Sequence, residues 1–241
     1  MPFTFSHPAI VLPGYYLPLR WRSLTGLVAG SVVPDFEMFF RMEAKISYSH
    51  TWHSIFWFNL PLGIVLTFLF HLVVRNSLID HLPLFLRRRL ITFKSFDWTR
   101  HFRQYAFVVV LSTFFGILSH FFWDHFTHHY GIFVEWFPDL AEQVTLGGYQ
   151  TPLYFLLQIG FSFIGGIVIL YAILKLSAIQ TAAKNHQILK YWLGIAGISF
   201  LVTVARYISG VNFNYFPNVI VVLISAGLVS LLITPFLIRA K

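Results

Sequence analysis

His120, Asp124 and His128 recur at every fourth residue of one apolar segment, GILSHFFWDHFTHH. At about 100° per residue they fall within one stripe of a helix and can point at a common centre. Imidazole beside carboxylate is the donor set of a divalent cation. The chain contains no cysteine, which excludes disulfides, thiolate metal sites and cysteine nucleophiles. An ion must therefore be held by nitrogen and oxygen, which suits zinc foremost and manganese or iron otherwise. The bland alternative for the stripe is a set of interfacial histidines that hydrogen-bond water and headgroups beside a structural Asp.

Further residues of the same chemistry stand upstream. His50 and His53, in His50-Thr51-Trp52-His53, are three apart on one helical face, a workable but common ligand spacing. Asp35 and Glu37 follow a proline in GSVVPDFE, where an Asp is most often a turn residue or helix N-cap. His7 lies in FSHPA and, taken alone, is a loop histidine. His125 and His129 project from other sides of the stripe's helix, with His129 at the edge of the following loop. His71, His81, His101 and His186 lie singly near basic loops and are read as packing or loop residues. Every acidic residue, and every histidine but His186, lies between His7 and Glu142, so any chemistry belongs to the first part of the chain.

Hydrophobic residues make up 57% and charged residues 11% of the 241 residues, and the mean hydropathy is +0.70. Those values indicate an all-α, polytopic membrane bundle. Five stretches are long and apolar enough to span: residues 56–74, 105–123, 153–174, 191–209 and 218–238. The segment before them, with a short apolar helix over 24–33, is read as short interfacial helices. Residues 1–152 then form a half that carries the metal-type residues, with the basic loop 75–104 between its spans. Residues 153–241 form a three-span part without acidic residues, within a single membrane domain. The amino terminus has no positive n-region and reads as mature protein rather than a cleavable leader.

The net charge of +8 does not point to nucleic acid, because the basic residues flank apolar runs. Arg75, Arg87, Arg88, Arg89, Lys94, Arg100 and Arg103 follow the first span, Lys175, Lys184 and Lys190 follow the third, and Arg239 and Lys241 end the chain. The loops 124–152 and 210–217 hold no basic residue. The positive-inside rule then puts the amino terminus outside and the carboxyl terminus inside, with the candidate ligands on the outer side. Arg20, Arg22, Arg41 and Lys45 dissent mildly.

The start MPFTFSHPAIVLP, then GSVVPDFEMFFRM, SHT before an apolar span, and GILSHFFWDHFTH together resemble the uncharacterised bacterial membrane-protein family called domain of unknown function 4184. The order of ligand types is also similar to the membrane-bound metal-dependent hydrolases and, more remotely, to the zinc-dependent phospholipases C. The resemblance implies that His7, Asp35, His50, His120 and Asp124 are metal ligands, with His128 a further one. It also implies a bacterial inner membrane and a hydrolase, and the His-plus-Asp groups themselves suggest one or two ions. His53 has no counterpart in that pattern.

The expected reaction is metal-assisted hydrolysis of a phosphoester on a lipid or lipid-linked substrate at the outer face. Glu37 is the candidate general base, with a surface or supporting carboxylate as its alternative. The competing classes are a non-enzymatic protein with a structural metal and a metal-handling permease. The last three spans, where Arg206 is the one charged residue, argue against a permease. Cysteines introduced in the 124–152 loop of this cysteine-free chain should react with impermeant thiol reagents in intact cells, and those in the 75–103 loop should not. The reverse labelling would invert the topology.

Overall fold

The computed structural model describes residues 3–180 and 187–238; Lys184, His186, Arg239 and Lys241 lie outside them. Among the described residues the chain is all-α apart from one hairpin, and five helices there are long and apolar enough to cross a membrane. Short helices open the chain, among them α1 (Pro8–Val11), α2 (Leu24–Val32) and α3 (Phe36–Arg41). The first span is α4 (Ile55–His81), which contains π-helical turns at Ile55–Asn59 and Phe70–Val74. Next come α5 (Leu84–Leu90), the long α6 (Trp98–Thr127) and the one-turn α7 (Ile132–Trp136). Three further spans follow: α8 (Leu153–Lys175), α9 (Ile188–Ile208) and α10 (Phe216–Leu237). All five expected spans are present.

The hairpin β1 (Gln143–Leu146) and β2 (Tyr149–Pro152) was not expected. Its strands pair antiparallel with Leu146 opposite Tyr149. Gly147 and Gly148 sit between them at φ +56° and +86°, the left-handed pair that a two-residue turn needs to follow the twist of its strands. The turn was legible in the sequence. The strands were not, since each is only four residues long and buries little.

The chain divides into two compact units that interleave along the sequence. The first comprises residues 1–34, 50–64 and 105–172. Here α2 lies directly against α6, and glycines set the distance. A Cβ added at Gly30 would meet the Thr113 carbonyl oxygen at 2.1 Å, and one at Gly116 would meet the Leu27 oxygen at 2.3 Å. This is the close backbone approach that small residues allow between membrane helices. Ser23 caps α2 by accepting from Gly26 N, and Ser23 N donates to Ser112 Oγ at 2.8 Å, which fixes the register of the two helices. The amino-terminal turn is tied to α8 in the same manner: Ser6 Oγ donates to the Ser162 carbonyl at 2.7 Å, and Phe3 N donates to Ser162 Oγ at 2.8 Å.

The second unit comprises residues 35–49, 65–104 and 173–241. In it α9 and α10 pack along each other, with a Ser199–Ser230 hydroxyl bond at 3.1 Å. Arg206, near the end of α9, is held at the end of α3. Its guanidinium donates to the carbonyls of Arg41 and Met42, the exposed C-terminal end of α3, where a cation is favoured. His81 stacks on Tyr191 with ring centroids 4.2 Å apart, and its carbonyl accepts from Trp192 Nε1. His71 stacks on Trp98. These two histidines are packing residues, as expected.

Gly30→Ala and Gly116→Ala should each destabilise the detergent-solubilised protein by about 1–3 kcal/mol, the usual cost of overpacking, seen as a lower unfolding temperature. Gly160→Ala in α8, where an added Cβ meets nothing within 4 Å, should be neutral or slightly stabilising. Equal stability of Gly30→Ala and wild type would contradict the close approach.

Candidate metal centre

Five of the expected ligands lie in the first unit, and the fold brings them to one carboxylate. His120 and Asp124 project from the last turns of α6, one turn apart. His128 stands just past the end of the helix, which closes at Thr127. Its Nδ1 lies 2.9 Å from the Asp124 carbonyl, so the imidazole stays beside the stripe although the residue itself has left the helix. His50 opens the turn before α4, and His7 N-caps α1.

Around Asp124, His120 Nε2 and His50 Nε2 stand 3.3 and 3.4 Å from Oδ2, while His7 Nε2 and His128 Nδ1 stand 3.7 and 3.8 Å from Oδ1. The two nearer imidazoles also face each other, Nε2 to Nε2, at 3.2 Å. His50 Nε2, His120 Nε2 and Asp124 Oδ2 thus form a nearly equilateral triangle. Ligands of a tetrahedral zinc at about 2.0–2.1 Å stand about 3.3–3.4 Å from one another, so the triangle has the edge that such an ion demands. Asp124 is buried, with 5% of its side chain exposed. Among the described residues its carboxylate accepts no hydrogen bond from a backbone amide or hydroxyl and is faced by imidazoles alone. A buried charge so placed needs compensation that neutral rings supply only in part.

The tautomers suit ligation. His120 Nδ1 lies 2.9 Å from the Ser31 carbonyl. A carbonyl only accepts, so Nδ1 carries the hydrogen and the Nε2 lone pair is left toward the triangle, the orientation that metal-binding histidines commonly have. The Asp124 carbonyl fixes the same tautomer in His128, whose Nε2 is buried without a hydrogen-bond partner among the described residues. His7 is wholly buried, and neither ring nitrogen makes a hydrogen bond among the described residues. It stacks on His120 at 4.0 Å between centroids and rests edge-on against Trp123. Burial, and then the neighbouring His120, hold His7 well below the ordinary imidazole value while Asp124 pulls the other way. It is therefore neutral, the form that binds metal.

Asp35 begins the second unit. It is fully buried at the end of a 3-10 turn, Val33–Asp35, and holds the N-cap position of α3 that its place after a proline suggested, without a side-chain capping bond. Glu37, in the same unit, is a different case from the general base expected. Its Oε1 accepts from Arg41 Nε and Ser47 N, each at 2.9 Å, and its Oε2 accepts from Tyr48 N at 3.0 Å and Ser49 N at 2.8 Å. Burial would raise its pKa, but the three backbone amides outweigh burial and lower it. A carboxylate with both oxygens committed is a loop staple, and the ladder of amides at residues 47–49 was not visible as a motif. His53 is exposed, and so is His129; His125 accepts from Ile132 N and ties down the chain after α6.

A model of the family described as domain of unknown function, DUF4184, matches residues 1–236, and the chain belongs to that family. No curated protein and no solved structure matches it.

Glu37→Gln places an amide nitrogen against backbone donors and should cost about 1–3 kcal/mol of stability at neutral pH. Because the folded-state pKa lies below the ordinary value of 4.5, this contribution is fully present above that value and is lost as pH falls through the folded one. Thermal unfolding in acid should therefore fall more steeply for wild type than for Glu37→Gln. Parallel acid limbs would refute the staple.

Proposed function

We propose that this DUF4184 protein is a membrane-bound metal-dependent hydrolase that cleaves a phosphoester of a lipid or lipid-linked substrate at the outer face of a bacterial inner membrane. The observation that carries the reading is the triangle of His50, His120 and Asp124, whose edges match those of a tetrahedral zinc site. An ion held there supplies Lewis-acid chemistry, activating water near neutral pH and polarising a phosphoryl or acyl oxygen. Zinc fits best, with manganese or iron as substitutes and a second ion as a further possibility of the ligand set.

The chain's own residues have separable roles in this reading. His50, His120 and Asp124 hold the ion, and Ser31 fixes the His120 ring. His7 adds a neutral imidazole to the ligand set, and the resemblance noted above implies Asp35 as a further ligand. With Glu37 committed to its loop, the proton acceptor passes to His128, whose Nδ1 hydrogen is spent on the Asp124 carbonyl and whose Nε2 keeps a lone pair. His128 leaves the ligand set in this assignment. No nucleic acid is a partner, and the substrate reaches the site from the lipid.

Asp124→Ala and His120→Ala should lose bound zinc and hydrolysis together, measured by elemental analysis and by a panel of phospholipid and lipid-linked phosphate substrates in liposomes. His128→Gln should keep the zinc and lower turnover by something like the 10² to 10⁴ that general-base catalysis supplies. Wild type that is full of metal and inert on phosphoester, ester and amide panels would instead make the ion structural. Zinc lost from His128→Gln would return that residue to the ligands.

A further inference from the structure

The segment 82–97 joins the end of the span Ile55–His81 to the start of the span that begins at Trp98, so it lies at the level of the lipid headgroups. All of it belongs to the second unit. It forms a hook of α5 and a 3-10 turn, Ile91–Ser95, and its backbone is held from within. Arg75 donates from Nη1 to the Phe96 carbonyl at 2.7 Å and from Nη2 to the Lys94 carbonyl at 3.3 Å. Lys94 itself bridges both oxygens of Asp80. Arg89 donates to the carbonyls of Phe85 and Leu174. Three of the basic residues in this region are thus spent on the fold.

Three others are not. Arg88, Arg100 and Arg103 are exposed, and no carboxylate pairs with them among the described residues. The hook exposes Leu84 and Phe85 just before Arg88, and Phe93 and Phe96 between Arg88 and Arg100; these four are 38–55% accessible. Apolar side chains beside guanidinium groups at the end of a span are the pattern of an interfacial anchor, with rings entering the acyl region and arginines reaching phosphate.

We propose that the hook and the first turns of α6 bind anionic phospholipid headgroups, through Arg88 in the hook and through Arg100 and Arg103 in α6. A bilayer is favoured over a soluble anion because the exposed leucine and phenylalanines would otherwise meet water on both sides of the charges, and because both neighbouring helices are spans. Each basic side chain at an anionic surface contributes about five-fold to partitioning, so three together give on the order of a hundredfold.

The experiment titrates the full-length, detergent-solubilised protein with phosphatidylglycerol, phosphatidylcholine or inorganic phosphate and counts retained lipid by native mass spectrometry. Phosphatidylglycerol should bind at least tenfold more tightly than phosphatidylcholine, and inorganic phosphate should not displace it. The variant R88Q/R100Q/R103Q should lose that preference while keeping its unfolding temperature. R20Q/R22Q, which removes the basic residues of the first unit, should keep it. Equal retention of the two lipids, displacement by inorganic phosphate, or an unchanged preference in the triple variant would each overturn the proposal.

Discussion

The first unit turns on one hydrogen bond, from His120 Nδ1 to the Ser31 carbonyl. It exists only because α2 approaches α6 closely enough for a backbone oxygen to reach a side chain on the other helix, and that approach exists only because Gly30 and Gly116 carry no Cβ. The bond decides the tautomer of His120 and aims its Nε2 at Asp124 and His50. With a side chain at either glycine, the same residues would sit on the same helix face and the triangle would not close. The glycines are thus as much part of the site as the histidines.

Asp124 imposes the complementary constraint. A carboxylate buried near the end of a spanning helix is costly unless charge or hydrogen bonds answer it, and what surrounds it is a group of imidazoles at 3.3 to 3.8 Å. At least one of those rings, His7, is held neutral by its burial. A cation between ring nitrogens and carboxylate resolves both demands together, which is why the arrangement is read as a metal centre and not as a hydrogen-bond network. The second unit answers its charges differently: Arg206, Arg75 and Glu37 are met largely by backbone groups at helix ends and loops.

Much of the architecture was legible in the sequence because apolar runs of spanning length leave few alternatives in a bilayer. The four-residue spacing of His120, Asp124 and His128 likewise found the stripe, although the helix closes before His128 and its ring is kept there by the Asp124 carbonyl rather than by helical periodicity. What could not be read was set by tertiary contact. Glu37 has the spacing and chemistry of a base in sequence, yet three consecutive backbone amides claim it, and backbone donors carry no sequence signature. The hairpin after α7 hid for a related reason, since its strands are exposed and only their glycine turn is encoded. The role of Gly30 likewise depends on a partner helix distant in sequence, α6, which no local pattern names.

The measurement that bears most directly on the account is zinc-edge X-ray absorption spectroscopy on the purified, zinc-loaded protein. A shell of imidazole nitrogen and carboxylate oxygen at about 2.0–2.2 Å, reduced in its imidazole component by His120→Ala, is the result predicted. A protein that binds no zinc, or binds it with a spectrum unaltered by loss of His120, would contradict the account.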